Sequence, residues 1–214
     1  MRQSTHILFI LMILSISAQA NDHWELIKED QGIRVYSKSD APKDFIEIKA
    51  ISHINSSLAP FVALMNDVEN FKNWMHATRQ ARLINRKGPF HYTYYMLSDL
   101  PWPARDRDVI LNLRIQKNEE TQAIYTRSRN VQGMIHHKEG IHRIQSVETS
   151  WHFIPENDGR IRIVFQTRVK PNVQLPDWLA QKVYHIGPYN TILNMKKMVK
   201  NEKYRNASVK MNKL

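Results

Sequence analysis

The sequence predicts an α+β domain in which one curved, single-layer antiparallel sheet wraps a long C-terminal helix. Three observations carry this. Apolar residues recur with a period of two in segment after segment as far as Lys170. Past Pro171 the period becomes that of a helix, in one long stretch. Between the early strands and the main run of strands only two short helical pieces fit. A one-layer sheet must bury its apolar face somewhere, and one helix of that length is the large partner on offer. Any space between them that side chains leave unfilled is a ligand cavity.

Trp24-Glu-Leu-Ile-Lys28 opens the folded chain, and Gln31-Gly32 turns it. Residues 33–37 alternate as a strand. Residues 44–54 alternate again, with Ile46, Ile48 and Ala50 on one face and Glu47 and Lys49 on the other. Ser56-Ser57 is expected to cap a helix over 58–66, with Pro60 tolerated in its first turn. Phe71 and Trp74 fall in a second short helical piece. Four strands are expected at 81–86, 91–98, 108–115 and 123–128, followed by a polar loop at 130–140. Residues 141–154 and 160–170 form a long hairpin turned at Glu156-Asn-Asp-Gly159. In its second strand Ile161, Ile163, Phe165, Thr167 and Val169 share one face, and Arg160, Arg162 and Arg168 the other. Leu175-Pro176-Asp177-Trp178 starts the long helix. Leu179, Val183, Ile186, Asn190 and Leu193 make its apolar face, and Gly187-Pro188 should kink it.

Residues 1–20 read as a signal peptide: Arg2, an apolar core at 7–16, and cleavage after Ala18-Gln-Ala20. An uncleaved N-terminal anchor is the other reading. The expected destination is the periplasm or the exterior. The chain has no cysteine, so neither a lipidated cysteine nor a disulfide is available, and packing alone must supply stability. About 190 residues remain, enough for one domain over 21–205 with a basic tail at 206–214. With 6 glycines in the whole chain, a glycine-rich phosphate loop is disfavoured. The net charge of +11 suits an anionic partner. Export turns that expectation from nucleic acid toward anionic lipid head groups, beside the plainer reading of a basic soluble surface.

The stretch from Pro101 to Arg114 is the most informative. Two prolines make a corner, a doubled Arg-Asp follows, and then an apolar strand begins. Arg107-Asp108 either orients the polar end of an apolar ligand or forms a structural ion pair, since a buried charge has to be satisfied. Tyr92, Tyr94 and Met96 alternate onto one face, as an adaptable ligand wall or as ordinary core. Trp151, Phe153 and Phe165 line or close the same space, or are plain core. His136-His137 has no third ligand at a zinc spacing, and no nucleophile elbow occurs. An enzyme on the same architecture would need a convergent acid–base pair, for which His91, His152 and His185 are the candidates. Lys196, Lys197, Lys200, Lys203 and Arg205 are either a solvated tail or a membrane-docking patch, each cation then contributing ~1 kcal/mol.

Taken in order, these features resemble the START family, the lipid-transfer domains related to the steroidogenic acute regulatory protein. The resemblance spans nearly all of the chain after residue 20. It rests on Trp24 with Gly32-Ile-Arg-Val-Tyr36, Asp67 and Trp74, Pro101-Trp-Pro with Arg107-Asp108, and Lys138-Glu-Gly140 with Arg143. Trp151-His-Phe-Ile-Pro155 and Leu175-Pro-Asp-Trp178 complete the set. It implies a helix-grip fold with an internal tunnel, and non-covalent carriage of one phospholipid, sterol or similar molecule, without catalysis. Three departures stand out. Arg114 lies on the opposite parity to Val109, Leu111 and Leu113, where some members aim an arginine into the tunnel. Lys72 and Met75 flank the Trp74 region without the basic–acidic pair of members that bind phosphate head groups. Tyr92, Tyr94 and Met96 stand where some sterol-type members have an acid. The expected ligand contacts are Trp74, Tyr92, Tyr94, Met96, Arg107, Asp108, Trp151, Phe165, Trp178, Val183, Ile186 and Leu193. No cofactor, metal or nucleic acid is expected, and the chain is expected to be a monomer.

Overall fold

A computed structural model describes residues 23–102, 104–171 and 176–209. The expected leader (1–20), Pro103, Leu175 and the last five tail residues fall outside the described residues. The period-two segments become β1 (Trp24–Asp30), β2 (Ile33–Lys38), β3 (Ile46–Asn55), β4 (Thr78–Gly88) and β5 (His91–Ser98). Then come β6 (Arg107–Lys117), β7 (Ile124–Asn130), β8 (His142–Arg143), β9 (Ser146–Pro155) and β10 (Arg160–Lys170). They form one ten-stranded sheet in the order β1-β2-β3-β10-β9-β7-β6-β5-β4, with the two-residue β8 alongside β6. Each neighbouring pair on the main path is antiparallel, and the sheet stays open at β1 and β4. Gln31 and Gly32 both take positive φ in the two-residue turn that starts the sheet. Gly159 does the same in the β9–β10 hairpin.

α1 (Ala59–Asn66) and a 3₁₀ segment (Val68–Asn73) cover one end of the concave face. The serine cap is corrected by the structure: Leu58 occupies the cap position and no side chain caps the helix. Ser56 turns to the Ser57 carbonyl instead, 3.2 Å away. Pro60 has no N–H, so the first turn holds fewer orphan donors for a serine to satisfy. Phe61 stacks on Phe153 at 4.6 Å, and Trp151 joins Phe153, Trp74 and Phe165 in one aromatic cluster.

The long helix is not continuous. α2 (Asp177–Gln181) runs into a π-helical turn over Lys182–Ile186, and α3 (Gly187–Met198) follows. The break therefore begins five residues before the Gly187-Pro188 pair. Pro188 has no N–H to offer the Tyr184 carbonyl, and the wider turn upstream accommodates that loss. A short α4 (Glu202–Arg205) closes the chain against Asp67, which accepts a 2.6 Å hydrogen bond from the Tyr204 hydroxyl. α3 is fixed by Ile192, Met195 and Val199, all buried. The Tyr189 hydroxyl donates to Asp30 at 2.6 Å, and the Asn194 amide donates to the Trp74 carbonyl at 3.3 Å.

The single strand expected over 141–154 is interrupted between β8 and β9. Arg143 is the cause. It forks onto Asp108, with Nε 2.5 Å from one carboxylate oxygen and Nη2 2.8 Å from the other, and its Nη1 holds the Ile135 carbonyl at 3.1 Å. β8 is thereby drawn beside the start of β6, parallel to it. Both side chains of this pair are buried. Asp108→Ala should lower the unfolding free energy in urea by about 3–5 kcal/mol, because it leaves the buried Arg143 uncompensated.

Candidate functional site

The strands that bend around α3 present every second side chain to it. On β6 these are Arg107, Val109 and Leu111; on β5, Tyr94, Met96 and Ser98; on β9, Val147, Thr149 and Trp151; on β10, Phe165, Thr167 and Val169. Register aligns them in rows: Leu111 faces Tyr94, Val109 faces Met96, and Trp151 faces Phe165. Together with Ile48, the segment 75–78 and the helix residues Val183, Tyr184, Pro188 and Thr191, they enclose a cavity of about 290 Å³. Its wall is mostly apolar; its charged side chains are Asp99, Arg107 and Lys182, and Ser98 stands beside Arg107 in the β5–β6 register.

Arg107 and Asp108 are adjacent on a strand, so they face opposite sides of the sheet. Asp108 belongs to the convex side and to Arg143. Arg107 belongs to the cavity. It is 8% exposed, its Nη1 is buried, and its guanidinium makes no hydrogen bond or ion pair among the described residues. Burial pushes its pKa down, against a smaller opposing pull from the Tyr184 phenol. The Tyr184 hydroxyl is itself pushed up by burial. Tyr94 is pushed up in the same way and is hydrogen-bonded to Ser128.

Of the twelve expected contact residues, Tyr94, Met96, Arg107, Trp151, Phe165 and Val183 line the cavity. Six do not. Trp74 is fully buried one layer back, edge-on to Trp151 at 5.9 Å. Tyr92 is buried deeper, and its hydroxyl donates to the Met65 carbonyl. Asp108 lies on the other side of the sheet. Trp178 and Ile186 are 54% and 39% exposed, and Leu193 packs against the core away from the cavity. The helix face is displaced because the π turn closes its hydrogen bonds over five residues where an α-helix closes them over four. A face read at strict α spacing is therefore out of phase beyond it.

The four lysines expected to dock at a membrane sit in different settings. Lys196 is half-buried and donates to Ser52 at 3.1 Å, with its pKa lowered by burial and then by Lys200. Lys203 is engaged by Asp67. Lys197 and Lys200 are exposed, six and nine residues past the last lining residue, Thr191, so Lys197 is about 9 Å along the helix from it.

The lining residues that sequence reading missed include His76, Thr149, Thr167 and Tyr184. Thr149 and Thr167 sat on alternating strands and were open to detection by parity. His76 follows the 3₁₀ segment, where no period applies. Its backbone N–H donates to Thr191 at 3.1 Å, and its Nδ1 is 3.3 Å from the Asn190 amide.

No family model matches the chain. An uncharacterised protein of Pseudomonas aeruginosa is 26% identical over 183 residues, which span 84% of this chain and 88% of that protein. Among solved structures, the STAR-related lipid transfer protein of Xanthomonas axonopodis superposes with a TM-score of 0.75 at 22% identity, covering 84% of this chain and all of that fragment. Human STARD10 gives 0.69 at 18% identity, covering 84% of this chain and 74% of that one. Human StAR-related lipid transfer protein 5 gives 0.69 at 12% identity, covering 85% and 88%. The chain has the START fold. In START terms this is the open helix-grip sheet with its C-terminal helix, and the cavity described above lies between the two.

Within this START fold three histidines favour their neutral form. His76 is held below the ordinary value by burial and then by Lys182, and His152 and His185 by burial. The native state therefore binds fewer protons than the unfolded chain below about pH 6.5. Stability is complete above that pH and is lost as pH falls through the depressed native values. Urea midpoints should drop between about pH 7.5 and pH 5, and His76→Asn should flatten part of that slope.

Proposed function

We propose that this protein carries one lipid or similar hydrophobic molecule in the cavity, non-covalently and without catalysis, and exchanges it at a membrane surface. The observation that carries the reading is the cavity itself. Alternate residues of four strands converge on it, yet no side chain of the described residues fills it. Interiors are close-packed as a rule, so an apolar space of this size needs an occupant. The lipid-transfer names of the structural neighbours agree with this reading. A carrier also suits the one histidine that lines the cavity among the described residues: its Nδ1 faces an amide, not a carboxylate. Export to the periplasm or the exterior, on the strength of residues 1–20, would place the protein where lipid has to cross water.

The exchange surface is better assigned to tryptophans than to the C-terminal lysines. Trp102, 88% exposed, adjoins the cavity-lining Pro101, and Trp178 lies one helical turn before the lining residue Lys182. Exposed indoles on two elements that border a lipid cavity suit the membrane interface, where an aromatic ring with one polar edge is at home.

Native mass spectrometry of the protein with organic extraction should release one lipid per chain. Val109→Phe extends into the cavity and should abolish uptake of a fluorescent lipid while the protein stays folded. Ile186→Trp, on the exposed side of the π turn, should leave uptake unchanged. Uptake by a folded Val109→Phe protein equal to the wild type would count against the cavity as the site. Trp102→Ala should slow transfer between vesicles roughly tenfold, with the bound stoichiometry unchanged, the weight of one large apolar side chain withdrawn from the interface.

A further inference from the structure

Among the described residues, Arg107 is a buried cation with no hydrogen-bond or ion-pair partner. Its immediate neighbour in sequence, Asp108, is on the far side of the sheet with both oxygens taken by Arg143. The carboxylate that lines the cavity, Asp99, is held by Arg79 at 3.0 Å, and Arg79 holds Asp106 as well. The Tyr184 phenol acts on Arg107 but stays protonated, since burial raises its pKa further. Lys182 at the rim adds a second positive charge, and burial together with that charge favours the neutral form of the nearby His76. A guanidinium 8% exposed with a buried, unpartnered Nη1 is expensive to keep unless something else supplies the negative charge.

What lies beyond Arg107 has the shape of a chain. Val109 and Leu111 continue the same face of β6, so an apolar wall runs about 14 Å from the charge toward Tyr94 and Trp151. At about 290 Å³ the cavity is at the bottom of the range for small-molecule pockets, ~300–1,000 Å³. It is a poor match for two acyl chains side by side.

We propose that the cavity takes a single-chain amphiphile whose anionic head group, a carboxylate or a phosphate monoester, pairs with the Arg107 guanidinium while its one chain lies along Val109 and Leu111. This rests on the carrier reading and names its ligand class. The planar guanidinium can take either head group through two parallel N–H donors.

The test uses the full chain stripped of lipid and a set of ligands with one tail and different heads, below their micelle concentrations. These are dodecanoate, dodecyl phosphate, dodecanol and dodecyltrimethylammonium, with dilauroyl phosphatidylglycerol as a two-chain anion. The wild type should bind dodecanoate or dodecyl phosphate on the order of tenfold or more above dodecanol, the weight of one charge-assisted hydrogen bond. Which of the two anions binds better separates a fatty acid from a phosphorylated lipid. The two-chain lipid should bind more weakly than either. Arg107→Leu should abolish the anion preference, keep dodecanol binding, and raise the Tm of the empty protein, because it removes an uncompensated charge. An arginine with a merely structural role would instead lower the Tm. If Arg107→Leu does not fold, the wild-type head-group ranking decides, and Arg107→Lys should keep a reduced preference for anions. Equal binding of all four heads overturns this inference and leaves the carrier reading standing. Tighter binding of the two-chain lipid overturns the single-chain assignment. Binding of none of the ligands overturns both.

Discussion

One helix cannot cover the concave face of a ten-stranded sheet, and the cavity is what remains. Nine strands spaced ~4.8 Å apart span on the order of 40 Å along their curve, whereas a helix with its side chains is ~10 Å across. Part of the deficit is met by α1, the 3₁₀ segment and the aromatic cluster around Trp151. Ile192, Met195 and Val199 close the middle. Around Arg107, Val109 and Met96 the cover comes from the π turn, the start of α3 and segments 75–78 and 98–101, and a cavity remains. The same curvature that lets the sheet grip the helix therefore leaves room for a ligand at one end.

The helix is unevenly held. α3 is tied to β1 through Tyr189 and Asp30, to the Trp74–His76 segment through Asn194 and Thr191, and to the sheet by its buried apolar stripe. The π turn contributes no buried residue, and Trp178 before it and Ile186 at its end are exposed. Free energies of local opening follow buried contacts and protected hydrogen bonds. The segment from α2 through the π turn is therefore the part of the cavity wall whose displacement disturbs the core least. It shares the cavity wall with strands β5, β6, β9 and β10, with segments 75–78 and 98–101, and with the start of α3.

The strands were legible because a half-buried antiparallel strand writes its two faces into a period of two. The β9–β10 hairpin, with Ile161, Ile163 and Phe165 inward and Arg160 and Arg162 outward, needed nothing more. The opposed fates of Arg107 and Asp108 were legible by the same rule, although as a charged dipeptide they invite reading as one unit. Long-range causes were not legible. The break before β9 comes from Arg143 reaching an acid thirty-five residues away, and no local pattern encodes that. The helix face failed at the π turn, where one loss of an N–H at Pro188 shifts the phase of everything read across it. Trp74 and Tyr92 failed differently. They are inward-facing and aromatic, as a ligand wall would be, but lie a layer deeper, and depth has no signature in a one-dimensional pattern.

The two costs carried by the empty protein share one remedy. An unfilled apolar lining forgoes contacts that a packed core would have, and the buried Nη1 of Arg107 has no partner among the described residues to replace its hydration. Filling the space with larger side chains would remove the first and leave the second. Replacing Arg107 with an aliphatic residue would remove the second and leave the first. A molecule with an apolar body and a negative end removes both at once. Such a ligand binds the folded chain and not the unfolded one, so it stabilises by an amount that grows with the logarithm of its concentration over its dissociation constant. With no disulfide to fall back on, the fold's stability and its cargo are then coupled. On the proposed carrier role, a chain without its ligand would be the less stable form, and loading would restore the difference.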